Sequence, residues 1–197
     1  MNIIELLNVK EQKYLKFITY KENEVLFHEN DKCLKLGIVM EGQIKIVSYL
    51  VDGKEIIYNS LSSNQIFGNN LIFSSEPYYK GDIVATSKCK VAYINTQDLL
   101  SILQSNTKFL NMYLKLQSDF AKELNNKIKL LSIDSAIDRF YYYMHINNNE
   151  ITYNSINELA LSLNLERETL SRLINRLEKQ KTITRINKTI RLYNINE

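Results

Sequence analysis

The chain has 197 residues, 45% of them apolar and 24% charged, which is enough for one large or two small cores. Its 25 basic and 22 acidic residues leave a formal net charge of only +3, so no single-sign tail dominates it. With no run of about 18 apolar residues and no basic-then-apolar leader, a membrane-spanning helix and a secretory signal are excluded from the reading, and a cytoplasmic protein is expected.

Turn-forming residues are confined to the N-terminal half. Gly37, Gly42, Gly53, Gly68, Gly81 and Pro77 all fall between residues 37 and 81, and residues 82–197 contain neither type. Between these turns, short β-branched runs at 24–27, 36–39, 43–47, 54–58 and 90–94 read as strands. Asp52-Gly53 between two of them is a hairpin signal. Several short strands at this spacing predict a small sandwich or barrel.

The stretch from Thr107 to Ser132 is free of helix breakers and predicts one long helix. Leu110, Leu114, Gln117, Ala121, Leu124, Ile128 and Leu131 follow a 4-3 spacing, the pattern of a coiled-coil seam. Phe109, Met112, Leu116 and Phe120 lie on a neighbouring face, suited to packing on the strands. A homodimer through the seam is one reading; a single wide apolar face buried within a monomer is the other.

Residues 155–180 predict two short helices joined by a tight turn. Ile156, Leu159 and Ala160 place an apolar face on the first. Ser155 with Glu158 fits a capping box, with Thr152 or Asn154 as alternative caps. Leu163, Asn164 and Leu165 form the turn, where Asn tolerates a positive φ. In the second helix Leu170, Leu173, Ile174 and Leu177 make the buried stripe, while Arg167, Glu168, Ser171, Arg172 and Asn175 face away. This is a helix-turn-helix, in which the start of the second helix enters the DNA major groove. An ordinary amphipathic hairpin with a solvated charged face is the plain alternative.

Residues 182–193 alternate apolar and polar around Asn187-Lys188 and predict a β-hairpin, the wing of a winged helix. From Asn164 onward the basic residues are Arg167, Arg172, Arg176, Lys179, Lys181, Arg185, Lys188 and Arg191, against Glu166, Glu168, Glu178 and Glu197. Much of the chain's positive excess therefore lies beside the reading helix, as phosphate contacts require. By chemistry, Arg172 suits a bidentate pair with guanine O6 and N7. Glu168 suits a base amino group and can orient Arg172 four residues on. Ser171 is short enough for a base edge or thymine methyl. Arg167 and Thr169 suit phosphate, which positions without specifying.

The run Glu168-Thr169-Leu170-Ser171-Arg172, continuing through Leu177-Glu178-Lys179-Gln180 and Ile183 to Lys188-Thr189-Ile190, resembles the DNA-binding domain of the Crp/Fnr regulators, in its Fnr branch. Glu166 departs from that pattern, standing where a Ser or Thr cap is usual. The resemblance implies an α+β chain: a jelly-roll-like β-roll sensor at 1–106, a dimerisation helix at 107–132 and a winged helix-turn-helix at 133–197. It implies a homodimer on double-stranded DNA with a TTGA-type palindrome, contact with RNA polymerase if the protein activates, and no enzymatic activity. Glu41-Gly42 resembles a glycine turn that recurs in cyclic-nucleotide-binding domains. Lys188 falls at the tip of the wing, beside the DNA.

The effector pocket that the resemblance implies would comprise Gly68, Asn69, Asn70, Tyr79 and Lys80. Asn69 replaces the Glu that holds the ribose in cyclic-AMP binders, and Tyr79-Lys80 replaces an Arg-Ser pair that holds the phosphate. A Lys offers a point charge without the fork of Arg, so cyclic AMP is not expected. An iron–sulfur cluster of the Fnr type needs four thiolates, and the chain has only Cys33 and Cys89. His28 and His145 are too few for a metal triad, and neither is expected to ligate haem. Both cysteines are expected as free thiols. Two other classes stand beside a regulator: a winged-helix interaction module without DNA binding, and a cupin-like enzyme, which would need clustered ligands absent from this sequence.

Overall fold

A computed structural model describes residues 3–193. It divides between Ser118 and Asp119 into two compact units.

The first unit is built on eight strands: β1 (Lys16–Tyr20), β2 (Val25–Phe27), β3 (Lys35–Glu41), β4 (Gln43–Tyr49), β5 (Glu55–Ser62), β6 (Ile66–Phe67), β7 (Asp82–Ala85) and β8 (Cys89–Asn95). They form two antiparallel four-stranded sheets, β1-β8-β3-β6 and β2-β7-β4-β5. The five predicted strand runs correspond to β2, β3, β4, β5 and β8. The short β6 and β7 were not predicted, because two to four residues carry too little alternation to register. Nor was β1, whose Lys16 to Thr19 stay exposed, so it presents no apolar-in pattern.

Leu36, Ile38 and Val91 from one sheet, with Ile44, Ile83 and Ala85 from the other, meet in one fully buried core. Gly53 makes the predicted hairpin at φ +80, its N–H donating to Leu50 O at 2.8 Å. Gly42, also at φ +80, is forced twice: a Cβ there would collide with the backbone of Lys88 and Cys89.

α1 (Thr96–Ser105) follows β8, capped by the Asn95 side chain accepting from Asp98 N at 2.9 Å. α2 (Thr107–Leu131) is the predicted long helix. Its first half belongs to the first unit, where Phe109 and Tyr113 are buried and Met112 and Leu116 pack beside them. Phe120, expected on the same face, is instead exposed.

The second unit holds the rest of α2, then α3 (Ala136–Ile146), β9 (Glu150–Thr152), α4 (Ile156–Ser162), α5 (Arg167–Lys179), β10 (Ile183–Ile186) and β11 (Thr189–Leu192). The hairpin β10-β11 pairs Arg185 with Ile190 and Ile186 with Thr189, and β9 adds a third strand. Phe140, Met144, Leu163, Leu170, Ile174 and Ile190 form its fully buried centre. Without glycine, this half turns on asparagine: Asn148, Asn149, Asn164 and Asn187 all take positive φ, as does Lys181.

Candidate nucleic-acid interface

α4 begins at Ser155, whose hydroxyl accepts from Glu158 N at 3.1 Å, so the predicted cap is the one used. The turn then closes by three backbone bonds, from Leu163 N to Leu159 O, Asn164 N to Leu161 O and Leu165 N to Ala160 O. Asn164 sits at φ 50, which stops α4 and redirects the chain. α5 starts at Glu166, whose side chain makes no capping bond. The missing Ser or Thr thus has a structural counterpart, an uncapped helix start.

Leu170, Leu173, Ile174 and Leu177 bury one face of α5. That burial turns Arg167, Glu168, Thr169 and Arg172 outward to solvent, with Ser171 half-buried at their edge. Glu166, Arg167, Glu168, Thr169 and Arg172 line an open depression of about 450 Å³. Arg172 Nη2 donates to Glu168 Oε2 at 3.1 Å, an orientation the four-residue spacing anticipated.

The wing adds a second basic element. Lys188 is exposed at the turn beside Asn187. Two of the eight basic residues are engaged elsewhere: Arg191 Nε meets Glu150 at 2.6 Å and Arg185 Nη2 meets Glu178 at 3.0 Å. Among the described residues, Arg167, Arg176, Lys179, Lys181 and Lys188 have no carboxylate partner within ion-pair distance. Glu197 lies outside the described residues. The start of α5 thus presents two cations and two carboxylates to solvent, while the end of α5 and the wing carry the unpaired Arg176, Lys179, Lys181 and Lys188, groups of the kind that meet base edges and phosphates.

One contact had no signal in sequence spacing. Arg139 of α3 donates from Nη1 to Asn164 O at 2.7 Å, in the turn. The two residues are distant in sequence, and no periodicity links them.

Along α2, Leu114, Leu124, Ile128 and Leu131 are roughly half exposed, and Ala121 is exposed between them. Leu110 is partly buried. Gln117 turns to the loop after β6: its Nε2 donates to Asn69 O at 2.7 Å and its Oε1 accepts from Asn69 Nδ2 at 2.6 Å. Tyr113 adds a third bond, from its hydroxyl to Asn69 O at 3.0 Å.

The five expected effector-pocket residues have different surroundings, although Gly68 and the Tyr79 hydroxyl lie side by side. Gly68, at φ +79, turns the chain after β6 close to Cys33. Asn69 is buried by the bonds just described, while Asn70 is exposed. Tyr79 lies in the core at 3% exposure, stacked on Phe27 with ring centroids 4.7 Å apart. Its hydroxyl is buried beside the Cys33 thiol with no nitrogen or oxygen partner among the described residues, and burial pushes both groups above their ordinary pKa. Lys80, next in the chain, is exposed. Cys33 and Cys89 are free and buried. Among the described residues no helix is long and apolar enough to cross a membrane.

The cyclic nucleotide-binding domain family matches residues 17–106. The chain is 24% identical over 188 residues to the cAMP-activated global transcriptional regulator CRP of Pasteurella multocida, covering 88% of each. Its fold is similar to that of a CooA mutant from Carboxydothermus hydrogenoformans, with TM-score 0.71 at 20% identity over 99% of this chain and 93% of the other. It is also similar to the c-di-GMP responsive global regulator CLP of Xanthomonas campestris, with TM-score 0.62 at 19% identity over 98% of each. For a cyclic nucleotide, the residues present here do not fit. The Asn69 amide is committed to Gln117, Tyr79 is packed in the core, and Lys80 lacks the fork of an Arg.

Proposed function

We propose that this chain is a transcriptional regulator of the Crp/Fnr family, a reading supported by its likeness to the CRP regulators along most of its length, and that it acts as a homodimer reading a TTGA-type palindrome with the start of α5. The observation that carries the reading is the exposed Arg167, Glu168, Thr169 and Arg172 on a helix whose other face is fully engaged in the core. Arg172 reads guanine, Glu168 orients it and reads an amino group, and Ser171 meets a base edge. Arg167, Thr169 and Lys188 hold phosphate.

Residues 107–132 serve as the dimerisation helix. The half-exposed Leu114, Leu124, Ile128 and Leu131 support this, because a seam needs apolar residues left uncovered in the single chain. A two-fold dimer presents two copies of α5 about 34–36 Å apart. As an activator it would also contact RNA polymerase, and its place would be the cytoplasm.

Control through the β-roll, residues 1–106, is the family's expectation, with a signal other than cyclic AMP. A second reading, regulation without a small-molecule effector, is favoured by one observation: Asn69, Gln117 and Tyr113 bond to one another where an effector would otherwise bridge loop and helix.

Selection of bound DNA from a random pool, with and without a small-molecule cell extract, tests both. A palindrome of TTGA-like half-sites is expected. Its dependence on extract separates the two modes of control, and recovery of no palindrome under either condition sinks the DNA-reading proposal.

A further inference from the structure

We infer that Arg139 sets how α5 is presented from the distal half of α2, and thereby which half-site spacing the dimer accepts. The inference rests on the dimeric, DNA-reading function proposed above.

Arg139 lies in the second turn of α3 and holds two carbonyls from separate segments. Its Nε donates to Ile133 O at 2.5 Å, in the short link between α2 and α3. Its Nη1 donates to Asn164 O at 2.7 Å, in the turn that leads into α5. A planar guanidinium with donors in a rigid fork fixes the direction of both bonds, which an ammonium on a flexible stem cannot do.

The turn needs such a restraint. Asn164 stands at positive φ, and Glu166 supplies no side-chain cap to the first amides of α5. The start of the helix is therefore held from the side rather than from its own end.

The other end of the strut is equally anchored. In the same unit, Leu130 of α2 is buried with Phe140 and Met144 of α3. Tyr142 Oη donates to Asn126 Oδ1 at 3.2 Å, and the Lys129 ammonium sits 5.1 Å from the Tyr142 ring centre. The distal half of α2, carrying Leu124, Ile128 and Leu131, is thus fixed to α3, and α3 is fixed to the turn by Arg139. In a dimer seamed along that half, any play at the turn becomes play in the separation of the two reading helices.

Arg139 touches no base in this arrangement; it is a positioning residue. The test uses the full chain with Arg139→Gln and Arg139→Lys. Amide hydrogen exchange over residues 163–168 is expected to quicken by about tenfold in Arg139→Gln, with residues 170–177 unchanged, as loss of a charged hydrogen bond implies. Binding is then measured on palindromes whose half-site spacing varies in single base pairs, and on one isolated half-site.

The wild-type chain is expected to prefer one spacing. Both variants should accept spacings one base pair to either side while keeping half-site affinity within about threefold, less than 1 kcal/mol. A folded variant with unchanged exchange, or with the wild-type spacing preference, overturns the role of Arg139. A wild-type chain with no spacing preference overturns the dimeric reading itself and the spacing claim with it.

Discussion

Glu168 and Arg172 stand one helical turn apart at the start of α5, carboxylate to guanidinium at 3.1 Å, each side chain 82% exposed. A pair so open to water contributes only about 0.2–1 kcal/mol to stability. Its effect is on orientation, since the carboxylate limits the rotamers from which Arg172 can approach a base.

Arg172→Ala should therefore cost roughly 1–3 kcal/mol on a palindrome that keeps its guanine, and almost nothing further once that guanine is replaced. Competition binding with matched and substituted sites measures this. An equal loss on both would make Arg172 a phosphate contact.

Lys188, exposed on the wing, should behave in the opposite way. Lys188→Ala is expected to weaken binding to all sequences alike and to lower the slope of log affinity against log salt by about one. A change in sequence preference would instead give the wing a base contact.

Leu124 and Ile128 are 50% and 55% exposed in the single chain. Replacing both with Asp should leave each subunit folded but raise the dimer dissociation constant by roughly 100-fold or more, because each copy loses the burial of two large side chains. Sedimentation velocity with circular dichroism separates the two effects. A variant that unfolds as a monomer would assign these residues to the subunit's own core.

Gln117 and Asn69 exchange two hydrogen bonds in a half-buried site. Gln117→Leu strands the Asn69 amide and should cost about 1–3 kcal/mol in urea unfolding of the N-terminal unit. If the β-roll works without an effector, the same variant should also lose DNA affinity, whereas a variant at exposed Asn70 should not.

Burial raises the Tyr113 hydroxyl from its ordinary 10 to about 12, and the hydroxyls of Tyr20, Tyr79 and Tyr93 are also raised, chiefly by burial. The unfolded chain releases these protons first, so their contribution to stability is complete below pH 10. It is lost as pH climbs through the folded values. The Cys33 and Cys89 thiols, raised by burial from an ordinary 9.0, begin the same loss earlier, so urea midpoints should be flat up to about pH 8 and fall steadily above it. Tyr113→Phe should lower the midpoint at neutral pH, through the lost bond to Asn69 O, and make the alkaline fall less steep. A midpoint indifferent to pH 11 would show these hydroxyls to be solvated.

Local pattern alone determined much of this protein. The 3.6-residue stripe of Leu170, Leu173, Ile174 and Leu177 placed Arg167, Glu168 and Arg172 on the outer face before any packing was known. The cap at Ser155, the Asn164 turn and the Asn187 wing turn were equally readable, since each depends on a few neighbouring residues. Where the fold depends on contacts between distant segments, spacing carried no signal. Nothing near Tyr79 announces that its ring stacks on Phe27 inside the β-roll while Lys80 points out. Gln117 fits a seam heptad, and only the position of Asn69 turns it inward. Arg139 reads as one more helix-surface cation until the turn at Asn164 comes within 2.7 Å of it. Periodicity records which face of a helix is buried; tertiary structure alone decides what that face, or a long polar side chain beside it, will meet.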